Sequence, residues 1–296
     1  MKLVILFALL VAASLAAGEM LVRSLPNPYK LKHQWMQRHG NAAEILVMGH
    51  SQTYYGILPQ MLPHAFSLAN YSQTFKYDLL LLKQYREKAA NLKKVVVPVS
   101  YTSFFDPQLD KGPEWYYVIN YRLYMDMEEY PWWSKFGFEL AHPSVYSGKL
   151  RSFFIGGENV MCDSLGHGLN FCDALRNPDL EASAKEAVAR HTAKDWSAVE
   201  QNRADFNALL SWCMAEGIEP VVVLVPLSKA YRSMIDARQQ AEMYRILNEV
   251  AAKHGLQYHD YMGDSRFVDE DFYDADHLSC DRGATKFTKI LKEDCF

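Results

Sequence analysis

Three absences narrow the class of protein that this sequence encodes. No cluster of lysine and arginine occurs and the formal net charge is only −4, so a nucleic acid is not an expected partner. No Cys-x-x-Cys pair occurs, which argues against a structural zinc site, and no motif calls for another metal or a cofactor. Internal repeats and low-complexity tracts are missing, which argues against fibrous and disordered classes. What remains is a globular chain of 296 residues, 49% of them apolar, with enough length for a sizeable core.

The N-terminus has the pattern of an export signal. Residues 3–17 are apolar or small and follow Met1-Lys2, as in the first two regions of a signal peptide. Small residues near 14–18 offer cleavage sites, whereas the apolar stretch through residue 22 is long enough to stay as a membrane anchor. We therefore expect a signal peptide or membrane anchor over 1–22, a stalk over 23–42 and one domain over 43–296.

Export changes the interpretation of the five cysteines, because disulfides persist outside the cytosol. Cys162 and Cys172 bracket a glycine-containing loop, and Cys280 and Cys295 bracket the predicted last helix, so two local bridges are expected. Cys213 lies inside a helical pattern and is expected to be a small core residue. Five reduced thiols are the alternative.

Short apolar runs alternate with helical patterns over most of the chain. This alternation is typical of βαβ units, and it predicts a three-layer α/β fold in which helices cover both faces of a five-stranded parallel sheet. Pro98 lies within the third apolar run and predicts an edge position or a bulge near the end of that strand. The strands are predicted at 44–48, 65–70, 94–100, 218–226 and 256–261.

Residues 104–194 interrupt the alternation. The segment is rich in aromatic residues, such as Trp115-Tyr116-Tyr117 and Trp132-Trp133, and it has no long β-type run. A structureless loop of this length is unusual inside a compact domain, so we expect a mostly helical insertion over the carboxyl edge of the sheet. It could cover a site there, although most of its aromatic side chains are expected to form its own core.

Ser51 directly follows the first predicted strand. Gly49 ends that strand where a sharp turn needs a residue without Cβ, and the carboxyl ends of strands in open α/β sheets are where reactive groups lie. A serine hydroxyl needs a base to become a nucleophile. The motif Asp274-Ala-Asp-His277 supplies an imidazole and a carboxylate on a predicted loop before the last helix, and no other histidine has an aspartate three residues before it.

An early Gly-x-Ser with a late Asp-x-x-His resembles the SGNH/GDSL hydrolase superfamily, which has a flavodoxin-like three-layer fold. The resemblance implies that Ser51 is the nucleophile, that His277 is the general base and then the general acid, and that Asp274 orients the imidazole. Asp276 is expected to point elsewhere, as a surface or substrate-contact residue.

Two blocks of the superfamily pattern differ here and affect the oxyanion hole. Where a glycine N–H usually helps to bind the oxyanion, this chain has Ser72, whose backbone N–H could replace it. The usual Gly-x-Asn is replaced by Val99-Ser100-Tyr101, so the side-chain donor is missing and Ser100 is a candidate substitute. The Ser51 N–H is the third candidate. Loss of one donor typically costs ~10²–10³ in rate.

Four residues near the predicted strand ends are candidate substrate contacts: His50, Asn70, Tyr101 and Tyr231. His50, beside the nucleophile, could touch the substrate or point away from it. Asn70 ends the second predicted strand and could alternatively reach the oxyanion.

The anchor, the stalk and the aromatic turn after Ser51 resemble the envelope-polysaccharide branches of the superfamily, which include the D-alanine transfer proteins of teichoic acid synthesis and the alginate O-acetylation proteins. That resemblance implies an exported esterase or O-acyltransferase acting through an acyl-serine on an ester, most simply acetyl, of a glycan. A weakly catalytic domain that binds glycan is the alternative. A metal-dependent hydrolase using His259, Asp260, Asp274 and His277 is the third hypothesis.

Overall fold

The predicted α/β architecture is present in the computed structural model, which describes residues 1–129, 137–141, 143–156 and 162–296. One parallel sheet has the strand order β2-β1-β3-β4-β5, so the chain moves outward from β1 in both directions. The strands are β1 (Ile45–Val47), β2 (Ala65–Ser67), β3 (Lys94–Val99), β4 (Glu219–Leu224) and β5 (Tyr258–Asp260).

Helices cover both faces of the sheet. The described helices are α1 (Lys2–Ser24), α2 (Pro28–His39), α3 (Ser51–Gly56), α4 (Phe75–Tyr85), α5 (Val118–Met125), α6 (Pro143–Arg151), α7 (Leu180–His191), α8 (Val199–Ala215), α9 (Lys229–Met234), α10 (Ala237–His254) and α11 (Arg282–Cys295). Side chains of α2, α4, α8 and α10 join one core cluster, whereas α11 packs on the opposite face. The strand order changes direction between β1 and β3, and ligands of open α/β sheets bind outside the carboxyl ends at such a point.

Successive strand residues face opposite layers, and both layers are buried. In β3, Val95 and Val97 join the cluster beneath α4 and α8, while Val96 joins the cluster beneath α11. A strand that is buried on both faces needs apolar residues at every position. This explains why the sequence shows apolar runs here instead of alternation.

Of the two alternatives predicted for Pro98, an edge position is wrong, because β3 lies between β1 and β4. Pro98 nevertheless pairs in register with Val223 of β4. On the other side, β1 pairs with β3 only as far as Val96, whose carbonyl accepts from Met48 N–H. Beyond that point β1 turns away, so the missing N–H of Pro98 leaves no ladder bond unmade.

The described part of the predicted insertion contains α5, α6 and α7 together with short 3-10 and π segments. Tyr121 and Tyr124 of α5 are buried in the main core of the sheet, whereas most aromatic residues of this region were expected to form a core of the insertion's own. The predicted pair Trp132-Trp133 lies outside the described residues. The end of α7 returns to the carboxyl edge of the sheet and brings His191 close to the Ser51 side.

The segment before the sheet contains two different helices. Helix α1 has a mean hydropathy of 2.3 and is 6% buried over its most apolar window, so its length and composition suffice to cross a membrane. Helix α2 begins at Pro28 after the cap Asn27 and buries Tyr29, Lys32 and Met36 against the domain. The region predicted as a stalk therefore includes a helix that packs on the sheet domain.

Candidate active site

The turn after β1 fixes the position of Ser51. Gly49 has a φ angle of 97°, and a Cβ atom there would lie 2.0 Å from Pro98 Cγ, so a larger residue would have to displace the proline. The Gly49 N–H donates to Oδ1 of buried Asp78 at 2.9 Å. Ser51 then begins the short helix α3. The side chain of Asp78, which no sequence pattern marked, therefore stabilises the backbone of this turn.

The structure brings Ser51, His277 and Asp274 together. Ser51 Oγ lies 2.8 Å from His277 Nε2, and His277 Nδ1 lies 2.9 Å from Asp274 Oδ1. The same Asp274 oxygen accepts from the backbone N–H of His277 at 2.9 Å, which closes a tight turn around the carboxylate. The contact between Ser51 and His277 joins residues that are 226 positions apart in the chain.

The hydrogen-bond pattern defines what the imidazole can do. If Nδ1 donates to Asp274, Nε2 is free to accept the Ser51 proton, which is the arrangement a general base needs. Burial alone would lower the pKa of His277, but the carboxylates of Asp276 and Asp274 outweigh it and hold that pKa well above the ordinary value. The imidazolium that forms on proton transfer is therefore strongly stabilised.

Of the two expectations for Asp276, a surface position is wrong, whereas a contact with substrate stays a prediction because Asp276 lines the cavity. The residue is 4% exposed, and its Oδ1 lies 3.5 Å from His277 Nδ1. Gln52 Nε2 donates to the Asp276 carbonyl at 2.9 Å and so joins the loop to α3. Its place beside the predicted base was the only sequence signal for Asp276.

His50 lines the same cavity as Ser51 and caps helix α3. Its Nδ1 accepts from Gln52 N–H at 3.4 Å, which leaves the proton on Nε2. Among the described residues Nε2 has no hydrogen-bond partner, and burial, followed by the positive charge of His277, lowers the pKa of His50 to about 4. His50 is therefore a neutral donor at neutral pH. Its predicted contact with substrate stays a prediction.

The three candidate oxyanion donors differ in availability. Ser51 is the first residue of α3, where backbone N–H groups have no helical acceptor. Ser72 has a φ of 51°, in the left-handed region that favours glycine, and its hydroxyl bonds the Glu114 carboxylate. The Ser100 hydroxyl, the predicted substitute for the missing side-chain donor, lies 3.0 Å from Ser103 Oγ and 3.3 Å from Thr102 Oγ1. The Ser100 hydroxyl is thus engaged within its own turn, whereas the N–H groups of Ser51 and Ser72 stay candidates.

Asn70 is placed beneath the site and does not line the cavity. Its amide nitrogen donates to Leu68 O and Gln73 Oε1, and its oxygen accepts from Lys32 Nζ at 3.2 Å. Because both amide protons are used, none is left for substrate or oxyanion. Lys32 is fully buried and also donates to Ala69 O, and burial lowers its pKa to about 7. No sequence signal marked this lysine.

Tyr101 and Tyr231 both line the cavity, but their hydroxyls bond to protein groups. The Tyr101 hydroxyl accepts from Asp236 N–H at 3.0 Å and lies 3.2 Å from Thr192 Oγ1. The Tyr231 hydroxyl lies 2.8 Å from His191 Nδ1. The rings can contact a ligand, whereas the hydroxyls hold the insertion against the scaffold.

Ser51 and His277 open into a cavity of about 820 Å³. The insertion supplies part of its wall, including Glu114, Tyr116, Phe171, Arg190 and His191. This volume is in the range of sites that bury small molecules or part of a polymer.

An aromatic stack supports the imidazole from one side. Phe171 stacks on Tyr55 with centroids 4.0 Å apart and on Tyr273 at 4.2 Å. The same ring meets the imidazole of His277 edge-on at 5.1 Å. The stack limits the rotation of His277 and places an apolar surface beside the nucleophile.

The five cysteines are free thiols, so neither predicted bridge is present in the structure. Cys213 is buried in the main core, as predicted. Cys280 instead lies near residues 169–171, where its N–H donates to Phe171 O at 2.7 Å.

Among the described residues, one group of side chains has the spacing of a metal site. Ligand atoms of Asp274, Asp276 and His277 lie within 4.8 Å of one another. Asp274 Oδ1 already accepts from the His277 ring and backbone, so the group is arranged as a hydrogen-bonded acid and base. Asp260, proposed as a ligand in the metal hypothesis, bonds Tyr244 and the Met262 N–H instead.

Comparisons with known proteins give limited likenesses. No protein-family model matches this sequence, and no curated protein matches it. A solved structure of a protein assigned as an acylhydrolase from Bacteroides fragilis is 10% identical, with 88% of this chain and 93% of that chain covered and a TM-score of 0.42. A GDSL-like lipase from Bacteroides thetaiotaomicron is 11% identical, with 90% and 97% covered and a TM-score of 0.44. At this level, neither likeness assigns an activity to this chain.

Proposed function

We propose that this protein is a serine esterase or O-acyltransferase of the SGNH/GDSL type. The observation that carries the proposal is the continuous series of contacts from Ser51 Oγ through His277 to Asp274, at 2.8 and 2.9 Å, in a cavity at the sheet's switch point. Acyl transfer through a serine requires a nucleophile, a base and an orienting acid that are joined by successive hydrogen bonds.

In the proposed reaction, Ser51 Oγ attacks the ester carbonyl carbon as its proton passes to His277 Nε2. The tetrahedral oxyanion is bound by backbone N–H groups, with Ser51 and Ser72 as the candidates. Collapse breaks the bond to the leaving alcohol, which takes the proton from His277. The acyl-serine is then attacked by water or by another hydroxyl, whose proton returns through His277.

The cavity is consistent with an ester carried by a glycan. Aromatic faces such as Tyr116 and Phe171 lie near charged groups such as Glu114 and Arg190, a combination that suits the apolar faces and hydroxyls of a sugar. We propose an O-acyl glycan of the envelope or extracellular space as substrate, as in the envelope-polysaccharide branches that the sequence resembles. The reaction is hydrolysis if water accepts the acyl group and transfer if a sugar hydroxyl accepts it.

Labelling with a fluorophosphonate probe followed by peptide mass spectrometry tests the nucleophile and its activation together. We expect adduct on Ser51 in the wild type, none in Ser51→Ala and at least ~10³-fold slower labelling in His277→Ala. Ser233→Ala and His39→Ala, which change exposed residues outside the cavity, are the matched controls and should label normally. Well-folded wild-type protein that fails to label would instead favour the glycan-binding alternative.

We also propose that helix α1 is retained as a membrane anchor. Glu19, near its end, accepts from the backbone N–H groups of Glu139 and Leu140 at 3.0 Å each and pairs with Arg23 at 2.6 Å. Cleavage near residue 18 would cut the helix directly beside this docked carboxylate. Intact-mass measurement of a C-terminally tagged chain from carbonate-washed bacterial membranes should show residues 1–18 still present, whereas a shorter soluble product would contradict retention.

A further inference from the structure

Asp276 lies between two imidazoles at the base of the cavity. Its Oδ1 is 3.5 Å from His277 Nδ1, and its Oδ2 is 3.9 Å from His191 Nδ1. His191 comes from the insertion and is held by the Tyr231 hydroxyl at 2.8 Å. A buried carboxylate is stable only near charges or donors that compensate its lost hydration. Here the compensating groups include the predicted general base itself.

The two carboxylates near His277 have different geometry. Asp274 Oδ1 lies at hydrogen-bond distance from Nδ1, 2.9 Å, and is partly exposed. Asp276 is farther from Nδ1 and almost completely buried, in a site where water screens its charge less. Asp274 therefore fixes the tautomer, while Asp276 acts mainly through its charge.

We propose that Asp276 is a positioning residue that acts through His277 as a second carboxylate, stabilising the imidazolium formed when Ser51 loses its proton. The inference rests on the proposed function, in which His277 is the base. Asp276 favours proton abstraction from Ser51, but it also favours the protonated resting form of His277. The enzyme therefore becomes active only as pH rises through the pKa of that imidazole.

The charges around Asp276 support this division of roles. Burial alone would raise the pKa of Asp276, but the imidazole of His277, and then those of His191 and the Arg190 guanidinium, hold it well below the ordinary value. Burial lowers the pKa of His191, although the nearby carboxylate of Asp276 opposes that shift. The titratable or charged groups facing the two residues are Asp274 on their own loop, His50 before α3, Tyr55 on α3, Arg190 and His191 on α7, and Tyr231 on α9.

Asp276→Asn tests the proposal because it removes the charge and preserves the shape. The Asp276 carbonyl, which accepts from Gln52, is unchanged, and so is the Asp274 contact. We expect the imidazole of His277, followed by NMR in the full chain, to titrate above 6.5 in the wild type and to fall by about one pH unit or more in the variant. The acidic limb of the pH profile of kcat/KM for p-nitrophenyl acetate should move to lower pH by the same amount.

Asp260→Asn is the matched control, because this exposed carboxylate lies on β5 outside the cavity. It should change neither titration nor profile. An imidazole that titrates at or below 6.5 in the wild type, or is unmoved in Asp276→Asn, overturns the inference. If that variant does not fold, Asp276→Ser removes the same charge with a smaller side chain and is held to the same expected shift.

The NMR titration does not depend on turnover. An elevated imidazole pKa that falls in Asp276→Asn, in a protein that fluorophosphonate fails to label, would retain the electrostatic role and reject the catalytic function. Labelling of Ser51 together with a His277 titration that is unchanged in Asp276→Asn would support the catalytic function and reject the electrostatic role of Asp276.

Discussion

The scaffold and the insertion contribute to the site in different ways. Ser51, Asp274 and His277 follow strands or precede a helix of the sheet scaffold, where backbone geometry dictates their positions. The insertion supplies walls such as Phe171 and His191, which reach the cavity through irregular segments or a helix end. The sheet topology therefore fixes the positions of the first three side chains. The positions of the insertion's side chains depend on tertiary contacts.

The largest effect should follow from a change to the scaffold turn. Gly49→Ala places a Cβ 2.0 Å from Pro98 Cγ on a backbone with φ of 97°. We expect the free energy of unfolding to fall by about 3 kcal/mol, from overpacking and backbone strain together, with loss of Ser51 labelling. Urea denaturation measures the first effect and fluorophosphonate labelling the second.

Gly217→Ala is the control for this comparison. Gly217 has a φ of 71°, but a Cβ there would meet nothing within 4 Å, so only the backbone strain of about 1 kcal/mol applies. Equal losses in the two variants would show that the contact with Pro98 does not constrain the turn.

A change in the insertion should affect the reaction without unfolding the scaffold. Phe171→Ala removes the ring that stacks between Tyr55 and Tyr273 and meets His277 edge-on. We expect kcat/KM for p-nitrophenyl acetate to fall about tenfold, equivalent to about 1.4 kcal/mol. Phe154→Ala, which changes an exposed ring of the same insertion outside the cavity, should leave it unchanged. Equal effects in both variants would contradict the assignment of Phe171 to the site.

Asp78 should make a smaller contribution to the free energy of unfolding, and this contribution should depend on pH. Burial raises its pKa to about 7 from an ordinary 3.8, so the folded state holds the proton more tightly than the unfolded state. The resulting stability is present below about pH 4 and is lost as pH rises to about 7. Asp78→Asn keeps an oxygen acceptor for the Gly49 N–H but cannot titrate. Its free energy of unfolding should therefore not fall over this pH range.

Urea unfolding at several pH values between 4 and 8 measures the difference. The wild type should lose more unfolding free energy over this range than the variant, and Asp260→Asn should behave as wild type. A variant that follows the wild-type pH dependence would show that Asp78 titrates normally.

The smallest effect concerns the thiols. Because the five cysteines are free in the structure, we expect a thiol reagent to detect five groups in denaturant without reductant. Dithiothreitol should leave the unfolding free energy unchanged. Detection of only one thiol would instead support the two bridges expected from the sequence.

Parts of the site were predictable because they depend on local rules. An apolar run ended by glycine places Ser51 at the carboxyl end of a strand, and an Asp-x-x-His turn brings Asp274 to its own histidine. The burial of Asp276 was not predictable, because one of its two imidazole neighbours, His191, comes from a distant segment. The edge position expected for Pro98 was wrong, because the end of β1 determines whether its missing N–H matters.

Local patterns predicted the α/β class, the approximate strand positions and the candidate residues Ser51, Asp274 and His277, because apolar runs, turn glycines and the Asp-x-x-His spacing are visible in the chain. Tertiary contacts alone place buried Lys32 beneath the site and Asp276 between the imidazoles of His277 and His191. Burial and hydrogen bonding between distant segments set these outcomes, and such contacts leave no local pattern in the chain.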